Sequence, residues 1–433
     1  MEPRSTNWTA APDQFRTQWV TPGDVFSVLL ILGADVIQLA LAATSGARPF
    51  TPIAFSFGWV AYGLAALLGS LGENRLIRCA PEISLRVFNL KSGYARENHS
   101  WLLARLFRTY SYWRPKQATD GLRITLKHPN THPAAEDVVI NSALCVAIYK
   151  LKSNDKNYTS KTREGHVMTN GFRSTVWWSG IGTSALQLGV AAIPFSLYHD
   201  WAIFMTTGAG TILAYITASL PQWALEKWHA RETHKDVHVA LTTGNGSQEV
   251  IIVHSEKGTL DLEDLASGRA PGDMASTRVL TVLLAVLWIV LLITCTGIKE
   301  NTWFLLAVGG LGILHNLIVA TVPCFPTSLG LPLDLKEPAV HTECKVMFTL
   351  MELELAHPGH GQALRGEFFP GKLWDWEQTW WDSTDMQYRR EKLDEQKQAT
   401  EMKLWKRITS DKKNNEAKVV GQEHDHVQGD FNV

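Results

Sequence analysis

Six apolar stretches of about twenty residues each constrain this chain more than any other feature. They form three pairs, with only a few residues between the two members of a pair. The stretches are residues 24–43, 52–71, 176–197, 201–220, 279–297 and 302–322. A helix of this length spans a bilayer core, where every backbone amide must find its partner within the protein. The sequence therefore predicts a membrane all-α bundle of six transmembrane helices, arranged as three helical hairpins.

The distribution of positive charge predicts the topology. An even number of spans places both termini and the long connections on one face, and leaves three short turns on the other. Those turns, at 44–51, 198–200 and 298–301, contain only Arg48 and Lys299 of the 41 lysines and arginines. Because cytoplasmic loops collect Lys and Arg, we expect both termini to be cytosolic. The first 23 residues lack the pattern of a cleaved signal peptide, so we expect the first apolar stretch to be retained. We expect the protein to reside in the membrane of the endoplasmic reticulum.

The remaining residues predict a small cytosolic α+β domain built from loop insertions, followed by a helical C-terminal tail. Residues 237–241 and 250–253 are strand-like and flank Thr242–Ser247, where Asn-Gly favours a tight hairpin. That loop could instead bind phosphate, but it contains no complete phosphate-binding motif. The predicted divisions are a cytosolic segment at 1–23, transmembrane hairpins at 24–72, 176–220 and 278–322, insertions at 73–175 and 221–277, a helical tail at 323–410 and a disordered end at 411–433.

Composition limits the classes of molecule that this protein is expected to bind. The net charge is −1, which argues against nucleic acid because phosphate binding requires a concentrated basic field. The five cysteines form no CxxC pair and fit a reducing compartment. The expected partners are the lipid bilayer, a lipophilic small molecule and proteins that bind the C-terminal tail.

Polar side chains inside the apolar stretches indicate a candidate intramembrane site, because each is costly in lipid. Asp35 and Gln187 lie at similar predicted depths, and His315 lies within about one helical turn of them. Asp35 and His315 are candidate catalytic residues that could exchange a proton. Gln38, Gln187 and Asn316 are candidate substrate-binding residues. The alternative is a polar clamp that holds neighbouring helices together.

The sequence predicts no metal site and identifies no cofactor. Metal sites need three or four converging ligands, and the histidines that follow the fourth apolar stretch do not form such a set. His229, His234, His238, His424 and His426 are therefore not expected to bind metal. Asp261 with Asp264 and Asp382 with Asp385 could hold Mg²⁺ against a diphosphate, but we interpret both pairs as solvated surface.

Several segments resemble a widespread group of multi-pass membrane proteins of filamentous fungi that has no established biochemical role. They are WVTPGDVFS at 19–27, FSFGWVAY at 55–62, KSGY at 91–94, TTGNGS at 242–247 and NTWFLLAVGG at 301–310. The resemblance implies a fungal source and a context of specialised metabolism, without specifying a reaction.

Three functions are compatible with these features. The first is a membrane enzyme or accessory factor that handles a lipophilic intermediate in fungal specialised metabolism. The second is a non-catalytic scaffold or regulator that binds partners through its cytosolic domain. A transporter is third, because no duplicated half is discernible.

Overall fold

The structure is a computed structural model that describes residues 23–46, 48–72, 75–76, 80–126, 137–151, 172–269 and 275–429; for 23–32, 70, 172–174 and 412–429 it describes the backbone alone. The helices of the described residues are α1 (Gly23–Thr44), α2 (Gly58–Gly72), α3 (Trp101–Arg108), α4 (Tyr110–Trp113), α5 (Lys116–Asp120), α6 (Phe172–Tyr198), α7 (Ala202–Ala218), α8 (Gln222–Lys227), α9 (Leu262–Ala266), α10 (Ala275–Gly297), α11 (Thr302–Thr321), α12 (Val346–Ala356), α13 (His360–Phe368), α14 (Asp375–Asp382) and α15 (Met386–Gly429). The strands are β1 (Arg86–Asn89), β2 (Ala95–Glu97), β3 (Arg123–Leu126), β4 (Val138–Asn141), β5 (Leu144–Leu151), β6 (Val237–Thr242), β7 (Glu249–Ser255) and β8 (Ala339–Glu343).

Helices α1, α2, α6, α7, α10 and α11 correspond to the six apolar stretches. Three apolar helices are long enough to cross a membrane, namely Thr175–Tyr198, Ala275–Gly297 and Thr302–Thr321. The other three have shorter apolar parts, at Gly33–Thr44, Gly58–Gly69 and Ala202–Ala218. Apolar helices of this length indicate an integral membrane protein. The second apolar stretch does not form the single spanning helix that the sequence predicted.

The second apolar stretch enters the bundle as a non-helical chain. Ordinary helix begins only at Gly58, six residues after the predicted start at Pro52. Pro52 O lies against Gly180 of α6, whereas Phe55 O accepts a hydrogen bond from Gln187 of the same helix. The three residues from Pro52 to Phe55 therefore advance as far as the seven residues from Gly180 to Gln187 of the helix, about 10 Å. Only an extended chain advances this far in three residues.

Helix α2 then brings the chain back to the end of the bundle where it entered. Thr51 N donates to Ser219 Oγ at 3.1 Å, and Leu76 N donates to Glu226 Oε1 at 2.6 Å. Ser219 and Glu226 lie close together in sequence, at the end of α7 and in α8. Residues 51–72 and 75–76 therefore belong to a re-entrant segment, with both ends at one face. An extended chain of seven residues and a helix of fifteen both measure about 23 Å, so the two halves match in length.

The re-entrant segment changes the predicted positions of α1 and of the turn that follows it. Lys227 Nζ donates to Leu41 O at 3.4 Å and to Ser45 O at 2.6 Å, which places the end of α1 beside α8. Gly23, at the start of α1, is about 32 Å away along the helix. The turn that contains Arg48 therefore lies at the same end as α8, whereas the sequence placed it at the opposite face. It also follows that α1 begins at the face opposite to this end.

The sheet domain lies at this same end of the bundle. Arg105 of α3 is buried, and its Nη2 donates to Ala320 O at 2.5 Å and to Val322 O at 3.0 Å, at the end of α11. Its Nη1 pairs with Glu82 at 2.6 Å. Carbonyls at the end of a helix lack helical partners, so the guanidinium satisfies them. At the other end of the bundle, Asn301 Nδ2 donates to Asp200 Oδ2 at 3.2 Å and joins two turns.

Strands from three separate parts of the chain form one six-stranded sheet in the order β2-β1-β6-β7-β5-β8; β5 and β7 are parallel and the other neighbours antiparallel. β3 and β4 form a separate two-stranded ladder. The α+β domain predicted from loop insertions is therefore present. The segment after the sixth stretch, predicted to be helical, also contributes β8.

The central strands are apolar on both faces because both faces are covered. Val239 and Ile251 face a core that includes Trp101 of α3 and reaches the ends of α1 and α11. Ala240 and Ile252 face a second core, formed with α12, α13, α14 and the start of α15. The C-terminal helices therefore cover the face of the sheet opposite to α3. Helix α15 continues to Gly429, beyond Ser410, where the sequence predicted disorder.

The predicted hairpin of residues 237–241 and 250–253 is confirmed as β6 and β7. Two glycines shape its turn. Gly244 and Gly246 have φ of 93° and 94°, and Ser247 N donates to Gly244 O at 3.0 Å. The glycines therefore provide the left-handed conformations that the turn requires.

Candidate functional site

Two of the predicted intramembrane residues hold the re-entrant segment. Gln187 of α6 is fully buried, and its Nε2 donates to Phe55 O and to Val308 O, both at 2.7 Å. Asn316 of α11 is also fully buried, and its Nδ2 donates to Ala54 O at 3.1 Å. A non-helical backbone at membrane depth is tolerated where protein groups satisfy it. These contacts match the polar-clamp alternative, with backbone carbonyls as the acceptors.

His315, the residue before Asn316, makes a different contact. Its Nε2 lies 3.1 Å from Ser179 Oγ, and that hydroxyl donates its proton to Val176 O at 2.7 Å. When the Ser179 hydroxyl donates to Val176 O it accepts from His315, and Nε2 then carries the ring proton. His315 Nδ1 and Asn316 Oδ1 are buried acceptors without a hydrogen-bond partner.

The other two candidates lie on α1. Asp35 is exposed on the helix surface, and Gln38 is half-buried one turn further along. Asp35 does not line the pocket that His315 and Asn316 share. The structure therefore brings Gln187, His315 and Asn316 together with the re-entrant segment, and it leaves the Asp35 carboxylate outside this group.

A pocket lies where the turn after α1, the start of α6 and the end of α11 meet. Its lining residues are Thr44, Arg48, Thr51, Pro52, Ile53, Val176, Trp177, His315, Asn316 and Val319. The Arg48 guanidinium lies 5.3 Å from the ring centroid of Trp177, whose Nε1 donates to Phe50 O at 3.0 Å. Within the described part of the chain, Arg48 forms no ion pair. The pocket is thus mainly apolar, with one cation and two unpaired acceptors among its lining residues.

A second group of polar side chains lies in the sheet domain, on the face covered by the C-terminal helices. His238 of β6 and His254 of β7 are directly opposite in the antiparallel register, and their rings stack with centroids 3.8 Å apart. His360 begins α13 and completes a three-histidine cluster. Its Nε2 lies 3.1 Å from His238 Nδ1 and 3.2 Å from His254 Nε2. We call this group the histidine cluster.

Two further histidines lie next to the cluster. The His357 ring is 5.4 Å from that of His360 and 5.8 Å from that of His254, between centroids. His341 of β8 lies 5.6 Å from His357, and its Nε2 is buried without a hydrogen-bond partner. Five imidazole rings from two strands of one hairpin, a third strand and a helical turn therefore form one continuous array.

The turn between α12 and α13 positions His360. The Glu354 carboxylate accepts from Gly359 N at 2.8 Å and from Gln362 N at 2.9 Å, and so satisfies free amides at the start of α13. Gly359 has φ of 88°, which favours glycine. A Cβ at Gly361 would meet Leu350 O at 2.2 Å, so the close packing of α12 and α13 depends on this glycine.

Burial and the neighbouring rings favour the neutral form of each histidine in the array. Burial, followed by repulsion from His238, His360, His357 and Lys150, lowers the pKa of His254 to about 3. Burial, then repulsion from His238 and His357, lowers the pKa of His360 to about 4. The pKa of His238 is lowered by burial and by the charge of Lys91. Burial also lowers the pKa of His341 and of His357. At neutral pH the array is therefore uncharged.

The sequence identified only part of this cluster. His238 was grouped with His229 and His234, but both of these are exposed and neither joins the cluster. His254 and His360 were not identified as candidates. Two signals point to them: His254 lies in the second strand of the predicted hairpin, and His357-Pro358-Gly359-His360 places two histidines around a turn. His424 and His426 lie where the structure describes the backbone alone.

The paired aspartates have structural roles. Asp261 and Asp264 were interpreted as solvated surface, but both are buried. Asp261 Oδ1 caps α9 by accepting from Glu263 N at 3.0 Å and from Asp264 N at 3.2 Å. Asp385 caps α15 in the same way, and Asp382 accepts from Gln378; both are exposed.

Comparison of the chain with protein-family models, with curated proteins and with solved structures gives no match.

Proposed function

We propose that this protein binds a lipophilic anion in the pocket beside the re-entrant segment. The observation that carries this proposal is Arg48, a half-buried cation that forms no ion pair within the described residues and stands among apolar side chains. A buried or partly buried charge without a counterion is unfavourable. The pocket has a volume of about 30 Å³, which is room for a head group and not for an acyl chain. An anionic head group would enter the pocket and pair with Arg48, while its acyl chain would lie outside the pocket, in the bilayer.

The neighbouring polar groups favour a head group that also carries a hydrogen-bond donor. His315 Nδ1 and Asn316 Oδ1 have acceptor capacity that no protein group uses. A hydroxyl on the ligand would satisfy one of them, at a gain of about 1 kcal/mol. The pocket lies at the domain end of the bundle, so the ligand would enter from that side or from the bilayer. An enzyme or accessory factor that handles a lipophilic intermediate in fungal specialised metabolism would need such a site.

The experiment measures binding of radiolabelled palmitate to the purified protein in uncharged detergent micelles. We expect saturable binding that Arg48→Gln weakens about tenfold or more, because an ion-paired hydrogen bond contributes about 1.5–3 kcal/mol. Lys299→Gln, at the opposite end of the bundle, is the matched control and should bind palmitate normally. Hexadecanol, which has the chain without the charge, should compete poorly.

Two results would contradict this proposal. Equal palmitate affinity for Arg48→Gln and the unsubstituted protein would remove the role of the cation. Equal competition by hexadecanol would show that the charge of the head group is not recognised. Stronger competition by phosphatidylserine than by palmitate would identify a membrane lipid, rather than a free acid, as the source of the anion.

A further inference from the structure

We infer that His238, His254 and His360 form a binding site for a late first-row divalent metal ion, with Zn²⁺ as the representative. One ring nitrogen from each of the three histidines lies within 4.8 Å of the others, and His238 Nδ1 and His254 Nε2 both lie within hydrogen-bonding distance of His360 Nε2. Imidazole nitrogen is a preferred ligand of zinc, copper and nickel. The site lies in the sheet domain and is independent of the pocket beside the re-entrant segment.

Hydrogen bonding within the cluster cannot account for its geometry. His360 Nε2 is close to two other ring nitrogens at once, at 3.1 and 3.2 Å. A neutral imidazole nitrogen carries either one proton or one in-plane lone pair. It can therefore form one good hydrogen bond, and the other two ring nitrogens compete either for its single proton or for its single lone pair. A metal ion removes this conflict because it accepts a lone pair from all three nitrogens.

The spacing of the nitrogens fits tetrahedral coordination. At a Zn–N distance of 2.0–2.1 Å, two ligand atoms at the tetrahedral angle are about 3.3 Å apart. The two contacts of His360 Nε2 are within about 0.2 Å of this value. The third edge, between the His238 and His254 nitrogens, must reach the same length of about 3.3 Å in the metal-bound state. Rotation of the His238 and His254 rings out of their stacked arrangement would direct the three nitrogens onto one ion.

The surrounding structure holds the ligands on rigid elements, as a metal site requires. His238 and His254 are paired across two hydrogen-bonded strands, and the Glu354 carboxylate fixes the turn that presents His360. Three protein ligands leave one tetrahedral position free. The His357 ring lies 5.4 Å from that of His360. The site therefore resembles those that keep an exchangeable fourth ligand.

The experiment titrates Zn²⁺ into the tag-free full-length protein after chelator treatment, against a chromophoric competitor. All proteins carry His424→Ala and His426→Ala, so that the tail cannot contribute ligands. We expect one Zn²⁺ per chain and a rise in melting temperature on binding. His254→Ala and His360→Ala should each weaken binding at least 100-fold. His229→Ala and His234→Ala, which change exposed histidines outside the cluster, should bind as the parent protein does.

A second measurement separates loss of a ligand from loss of the fold. Co²⁺ in a tetrahedral histidine site absorbs visible light strongly, so the parent protein should develop these bands and His254→Ala should not. His254→Ala should also keep the far-ultraviolet circular dichroism and the melting temperature of the metal-free parent. Failure of the parent to bind stoichiometric Zn²⁺ would overturn the inference. Undiminished binding by a His254→Ala/His360→Ala variant would overturn it as well.

Discussion

Replacing Gln187 by methionine tests whether a side-chain amide holds the re-entrant segment in the bundle. The side chain is 0% exposed, and its Nε2 donates to two carbonyls at 2.7 Å. Val308 O lies inside α11, where the amide four residues ahead also donates to it, so this carbonyl loses little. Phe55 O precedes α2 and lies in extended chain. Gln187→Met would leave it as a buried acceptor without this donor, which costs about 1–3 kcal/mol.

One feature reduces the expected loss. The Oε1 atom of Gln187 is itself buried without a partner, and the methionine removes that unfavourable group. Methionine keeps the unbranched shape, so the packing volume changes little. We therefore expect a net loss of about 2 kcal/mol, or about 30-fold in the unfolding equilibrium constant.

Asn316→Leu is the matched comparison within the same segment. Asn316 also has one unpaired oxygen, but its acceptor, Ala54 O, keeps a second donor in Trp59 Nε1 at 3.1 Å. Loss of one of two hydrogen bonds in a membrane protein costs about 0.6 kcal/mol. Leu186→Met, on the exposed face of α6, should leave stability unchanged.

The assay is equilibrium unfolding by sodium dodecyl sulfate in mixed micelles, monitored by tryptophan fluorescence. Leu186→Met should be the most stable of the three variants, Asn316→Leu should be intermediate, and Gln187→Met should be the least stable. A Gln187→Met variant as stable as the parent would refute the argument that Phe55 O depends on the amide. A larger loss for Asn316→Leu than for Gln187→Met would refute the assignment of the second donor to Ala54 O.

Three further predictions follow from other parts of the structure. Gly312→Ala should prevent accumulation of folded protein, because a Cβ at this position would meet Phe55 O at 1.7 Å. Gly310→Ala is the control, because a Cβ there has open space and the variant should fold normally. Expression and gel filtration compare the two variants, and equal yields would contradict the close contact. In a cysteine-free background, Pro49→Cys should react with an impermeant maleimide from the side of the sheet domain and Lys299→Cys from the opposite side; labelling of both from one side would contradict the re-entrant segment. The metal-free protein should lose stability as pH falls from about 6.5 toward 4. In the folded protein His254 and His360 have pKa values of about 3 and about 4, below the ordinary 6.5, so the unfolded chain binds more protons in this window. Thermal melting measures how steeply stability falls with pH, and the fall should be smaller in His254→Phe/His360→Phe.

Local patterns predicted much of the secondary structure. The strand-like apolar runs on either side of Thr242–Ser247 predicted β6 and β7, because residue composition and turn glycines are local properties. The apolar stretches predicted helices α6, α7, α10 and α11 closely. The pairing of β5 with β7 and β8 joins segments far apart in sequence, and no local pattern specifies it.

The candidate residues show the same division. The sequence identified Gln187, His315 and Asn316 because polar groups in apolar stretches are costly and need partners. It could not identify the partners, since Phe55 O and Ala54 O are backbone atoms of a chain that the pattern assigned to a helix. The histidine cluster was missed because His360 reaches the hairpin of His238 and His254 only through tertiary packing of a segment about 100 residues further along the chain.

The sequence by itself determined that this is a membrane protein with an α+β domain inserted between apolar stretches, because hydrophobicity and its periodicity follow directly from residue type. Only the tertiary structure decided that the second stretch turns back within the bundle, since an extended chain of seven residues and a helix of fifteen reach the same depth. Only the tertiary structure brought the three histidines together. Hydrophobic patterns fix how much surface must be buried, whereas the partners of each buried polar group are chosen by contacts between distant segments.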